Sequence, residues 1–174
     1  MVVCPVGNIT EDLSFVARNR TSFKDAQTRF CASLRFTHVL TLAWNRDTPL
    51  EAAKRDLRRL HRRVDEHLLG RHFFKLSSEA RSFALFAFEG ERASVHTHAL
   101  WRVPPTPLGT NRLLRFHKLF PQERGGVWNE IVPSGSYKLR IISDFGDAAR
   151  YVLKEQHLGS DDDTLLWSTD FGRA

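Results

Sequence analysis

The chain has 174 residues, a length that fits one domain with a buried core and leaves little room for two. Hydrophobic residues make up 41% and charged residues 26%, and no apolar run reaches the roughly 18 residues that a membrane span needs. Lys and Arg total 26 against 20 acids, a formal charge of +6, so nucleic acid is the leading partner class and other anionic surfaces come second. Two cysteines, Cys4 and Cys31, exclude a disulfide framework or a zinc cluster, and MVVCPVGNITEDLSF lacks the basic stretch and long apolar core of a secretory signal. These features predict a soluble, cytoplasmic protein.

Residues 1–33 read as an N-terminal extension, polar and partly helical, with a helix over Ser22–Leu34, and residues 34–174 as the main domain. Arg35–Trp44, rich in β-branched and apolar residues, predicts a first strand, stopped by the turn chemistry of Asn45–Pro49. Leu50, Ala53, Leu57, Leu60, Val64 and Leu68 recur at helical steps over Leu50–Leu69, with Thr48 as N-cap, Pro49 as the first helical residue and Gly70 as the stop. Ser82–Glu91 and Ala93–Val103 predict a hairpin turning around Gly90–Arg92, with Phe83, Leu85 and Ala87 on one face. A second helix over Asn111–Phe120, a strand over Gly135–Ile142 and a last helix from Gly146 or Asp147 to Gln156, closed by Gly159, complete the core. Asp161–Asp163 and WSTDF form a short C-terminal tail.

That order predicts an α+β fold of the split βαβ, ferredoxin-like kind shared with RNA-recognition modules: an antiparallel sheet with helices packed on one face. The other face is left for a ligand.

Three groups of residues carry chemistry. On a strand, His96 and His98 project from one face about 7 Å apart at Cα, close enough to share one metal ion. Glu89 precedes the hairpin turn and brings a carboxylate from the neighbouring strand; Glu91, nearer the turn tip and more solvent-facing, is its competitor. Two nitrogens and one oxygen, with positions left for water and phosphate, suit Mg²⁺ or Mn²⁺ better than a closed zinc site. Tyr151 and Lys154, three apart on the last helix, reach one substrate group; read blandly, they are the edge of an amphipathic helix. A metal would polarise a phosphodiester oxygen, the tyrosine would attack phosphorus, and the lysine would neutralise developing charge.

The combination resembles the HUH endonucleases, in particular the Rep proteins that start rolling-circle replication. VLTLAWNR (Val39–Arg46) is similar to the first Rep motif, VHTHALW (Val95–Trp101) to the His-hydrophobic-His motif, and YVLKE (Tyr151–Glu155) to the Tyr-x-x-Lys motif. The span from Phe36 to Gln156 is covered, with the tyrosine after the histidines as in Reps and a single tyrosine of the catalytic kind. Thr97 departs from the pattern, standing where the family carries a hydrophobic residue.

The resemblance implies an HUH fold and sequence-specific nicking and rejoining of single-stranded DNA at an origin or hairpin. The strand would be held through a 5′-phosphotyrosine link, with Tyr151 and Lys154 catalytic and His96, His98 and Glu89 holding Mg²⁺ or Mn²⁺. A separate helicase and a host polymerase would be partners, and no membrane. Trp44, Asn45 and Arg46, at the end of the first strand, are placed for base stacking and backbone contacts.

Arg55, Arg58, Arg59, Arg62 and Arg63 decorate the first long helix and read as a solvated face or as phosphate contacts. His38, His61, His67, His72, His117 and His157 lack a spacing that assigns them a partner; His61 and His67 are expected on the helix surface. Competing readings are an insertion-sequence tyrosine transposase, a non-catalytic split βαβ nucleic-acid-binding module, and a phosphodiesterase with paired histidines, which would want a second His-containing repeat.

Overall fold

The computed structural model describes residues 25–90, 95–105, 111–122, 125–154 and 164–171. In chain order these form helix α1 (residues 25–33), strand β1 (His38–Ala43), helix α2 (Leu50–Leu69), strands β2 (Phe83–Glu89) and β3 (His96–Arg102) and helices α3 (Arg112–Leu119) and α4 (Val127–Ile131). Strand β4 (Ser136–Ile141), helix α5 (Phe145–Val152) and strand β5 (Leu165–Trp167) follow.

All five strands join one antiparallel sheet in the order β4-β1-β3-β2-β5. Strands β1 and β2, joined by α2, run parallel with β3 inserted between them, which is the split βαβ connection. Alternation then sorts every side chain. Leu40, Leu42, Phe86, Phe88, Ala99 and Trp101 turn to one face and meet the stripe Ala53, Leu57, Leu60, Val64 and Leu68 of α2. Phe116 of α3 and Trp128 of α4 complete this main core.

Helices do not keep to that face. Val39, Leu85, Ala87 and Leu100 point the other way and are covered by Cys31 of α1 and by Ala149, Val152 and Leu153 at the end of α5. The physical reason is that the second face also carries an apolar patch, which needs cover of its own. The ends of β2 and β3 nearest their connection carry Glu89, His96 and His98 on this second face instead.

Local details differ from the sequence reading in ways that follow from the backbone. Pro49, not Thr48, is the N-cap of α2; Thr48 turns its hydroxyl to the Arg46 carbonyl, 3.2 Å away. Gly70 ends the helix at a φ of 89°, a left-handed value that glycine adopts without steric cost. Helix α5 starts at Phe145, capped by the Asp144 side chain, which accepts from the Asp147 N–H at 2.8 Å. The expected tail contributes β5, which pairs with Leu85–Ala87 of β2 and closes that edge of the sheet. Helix α4 had no counterpart in the reading. Gly159 and Asp161–Asp163 lie outside the described residues, as does most of the N-terminal extension. No helix among the described residues is long and apolar enough to cross a membrane.

Candidate metal centre and nucleophile

The hairpin register builds the site. Glu89 pairs directly with His96, and His98 lies opposite Ala87, so the carboxylate and both imidazoles share one face at one end of the sheet. Glu89 Oε2 lies 3.2 Å from His96 Nε2 and 3.4 Å from His98 Nε2, and the three candidate ligand atoms fall within 4.8 Å of one another. The Glu89 and His98 side chains are buried, with 6% and 5% of their surface exposed, whereas His96 is 34% exposed, so the group opens to solvent on one side. Glu91, the competitor, lies outside the described residues.

The donor set fits a metal ion. Glu89 Oε1 is buried and has no hydrogen-bond partner among the described residues, a state that costs free energy for a carboxylate unless a cation or water completes it. Thr41 on β1 pairs with His98, and its hydroxyl lies 2.9 Å from His98 Nδ1. When that hydroxyl accepts from Nδ1–H, the Nε2 lone pair faces the Glu89 carboxylate, an arrangement that a shared cation completes. Burial holds His98 below its usual pKa of 6.5; the Glu89 carboxylate opposes the shift, and His96 and Lys154 add to it. A neutral imidazole is the form that ligates metal.

Helix α5 delivers Tyr151 to the same place. The Tyr151 ring meets the His98 ring edge-on with centroids 4.8 Å apart. Lys154 follows in the turn just past the helix end, not within it; its Nζ is 3.2 Å from Glu89 Oε2 and 5.3 Å from the Tyr151 ring centre. The five residues expected to carry chemistry are therefore brought together. Two neighbours were missed by the sequence reading: Thr41, and Arg140 of β4, whose guanidinium carbon lies 5.0 Å from the Tyr151 ring centre. Strand alternation would have found Thr41, since it faces away from Leu40 and Leu42. Arg140 needed the register of β4.

The proposed DNA-contacting trio separates. Trp44 is not free to stack on a base: it continues the Leu40, Leu42 alternation into the main core and is fully buried. There it packs edge-on against Trp128 with centroids 5.1 Å apart and donates from Nε1 to Asp56 Oδ2 at 3.0 Å. Asn45 serves the turn, at a φ of 53°, and donates to the Ser134 carbonyl at 2.9 Å. Arg46 is exposed beyond Ala43, the residue paired with His96, and so sits at the same end of the sheet as the site.

Thr97 faces the main core, where its hydroxyl donates to the Ala87 carbonyl at 2.9 Å. His61 is not on the helix surface: it is buried, stacked on Trp101 at 5.3 Å and 3.2 Å from the Ser82 hydroxyl. His38 and His117 prove to be partners, their Nε2 atoms 3.0 Å apart. Arg55, Arg59, Arg62 and Arg63 are exposed on α2, across the sheet from Glu89, His96 and His98. The chain matches no protein-family model, and searches of curated proteins and of solved structures return no match.

Proposed function

We propose that the protein is a metal-dependent endonuclease of the HUH, Rep-like kind. It would nick and rejoin single-stranded DNA at an origin or hairpin through a tyrosine-linked intermediate. The observation that carries this reading is the placement of Tyr151 against His98, one of three side chains that converge as a metal-ligand set. Mg²⁺ or Mn²⁺ suits two imidazoles and a carboxylate with open positions, and would supply Lewis-acid polarisation of a phosphodiester oxygen.

The chain's own groups supply the rest. Tyr151 Oη attacks phosphorus and releases its proton to water. The P–O3′ bond breaks, the 5′-phosphate stays on the tyrosine, and the departing oxygen takes a proton to become a 3′-hydroxyl. Lys154, beside both Glu89 and the ring, places positive charge where the phosphorane's negative charge develops. Rejoining is the same path reversed.

The test uses 3′-labelled single-stranded DNA with a randomised core, Mn²⁺ and a denaturing protein gel. The expected result is a shifted, labelled band that EDTA and Tyr151→Phe both abolish. Tight, metal-independent DNA binding with no adduct would overturn the catalytic reading and leave a nucleic-acid-binding module.

A further inference from the structure

We infer that Arg140 is a positioning residue for Tyr151, holding the phenol ring against His98 in the orientation from which it reacts; this rests on the nickase reading. Tyr151 lies in the last turn of α5 and is 37% exposed. A phenol open to solvent on one side is held in its rotamer by the few groups that touch it, whereas nucleophilic attack tolerates only small errors in placement. The ring is bounded by named groups: the edge of His98 from β3, the guanidinium of Arg140 from β4 and the ammonium of Lys154.

The sheet register explains why Arg140 is there. Arg140 pairs with Val39, and Lys138 with Thr41, so both cations of β4 project from the face that carries His98. Among the described residues Arg140 forms no ion pair, and its contact is the Tyr151 ring. Arg150, on α5 itself, is by contrast paired with Asp147. A guanidinium is planar and permanently charged, so it can lie against a ring with one face and fix that ring's tilt, which an ammonium cannot do equally well. Strands β3 and β4 are both paired to β1, so two of the three groups that bound the ring, His98 and Arg140, are carried by one sheet.

Arg140→Ala, Arg140→Lys and Lys138→Ala, compared with wild type, test this role. With saturating DNA and Mn²⁺, Arg140→Ala should slow adduct formation roughly tenfold. That lies between the few-fold worth of an exposed cation–ring contact and the hundredfold cost of a misplaced group. DNA affinity should change less than twofold, and Arg140→Lys should recover part of the rate. Lys138→Ala, on the same face, should weaken DNA binding. The chain has two tyrosines, so ¹³C-tyrosine spectra give a readout independent of turnover. Arg140→Ala should move the Tyr151 ring signals and leave those of Tyr137, whose hydroxyl donates to the Gly125 carbonyl at 2.9 Å. An unchanged saturated rate, a loss confined to affinity, or unmoved Tyr151 signals would each overturn the role. A wild-type protein that forms no adduct would overturn the nickase reading and this role with it.

Discussion

Thr41 and His98 face each other across β1 and β3, and the 2.9 Å contact between hydroxyl and Nδ1 fixes which way the imidazole points. Thr41→Val keeps the shape and removes that contact. It should weaken Mn²⁺ binding by about ten- to a hundredfold, the usual cost of losing a group that orients a metal ligand, as read by calorimetric titration. Trp44 gives the opposite kind of prediction. Trp44→Ala should cost about 3–5 kcal/mol of stability in urea titrations, as for other large aromatic deletions from a core, with no loss of DNA affinity in the folded fraction. The histidine pair and Glu89 were legible because strand alternation and hairpin pairing fix their mutual placement, whereas Tyr151, on α5, was singled out by its spacing from Lys154 and the Tyr-x-x-Lys resemblance. Trp44 was misread through its position at a strand end, although its two-residue step from Leu42 assigns it to the apolar face. No sequence pattern announces Arg140, because which residue of β4 lies opposite Val39 depends on pairing between segments 101 positions apart.

Helix α3 is tied to β1 by a pair of histidines whose protons can be assigned. The Thr37 hydroxyl donates to the Trp101 carbonyl at 3.0 Å and accepts from Val103 N–H at 3.2 Å, so its 2.8 Å contact with His38 Nδ1 takes the proton from the ring. His38 Nε2 is then an acceptor, and His117 Nε2–H donates to it at 3.0 Å. Burial, with the nearby His117, pushes His38 down from 6.5 to about 4. Between those two values the unfolded chain takes up a proton that the folded chain refuses, so stability falls as pH drops through this window and levels off below it. Urea midpoints measured from pH 7 to pH 4 should show that fall, and His38→Gln should flatten part of it. His61, also held below its usual value by burial, supplies more of the slope. Neither this clamp nor strand β5 was legible at the level of elements. The histidines lie 79 positions apart, and β5 has three residues, too few for an alternation to register.

The whole molecule has two unlike faces. On one, α2 presents Arg55, Arg59, Arg62 and Arg63 to solvent; on the other, the candidate metal-ligand set and Tyr151 lie at the end of the sheet beside Lys138 and Arg140. On the proposed nickase reading, replacing the four α2 arginines with glutamine should therefore leave adduct formation on a short single-stranded oligonucleotide within about twofold, because a phosphate at Tyr151 could not reach them through the sheet. The same variant lowers the net charge from +6 to +2, four arginines fewer, so weaker binding to longer DNA at low salt is expected from the overall field alone. The order of elements and the split βαβ connection were legible because long periodic segments and the pairing of two consecutive strands define them. The cover on the second face was not, since the stripe of α5 reads the same whichever side it packs against.

Strand β3 writes two messages in alternate letters: His96 and His98 belong to the site, Thr97, Ala99 and Trp101 to the interior. Inserting or deleting one residue inside it would exchange them, driving imidazoles among leucines and forcing an indole into the packed space beneath α1 and α5 that Leu100 fills. Descendants of this chain can therefore lose the chemistry one side chain at a time and keep folding. They cannot shift it along the strand by a single step without losing both.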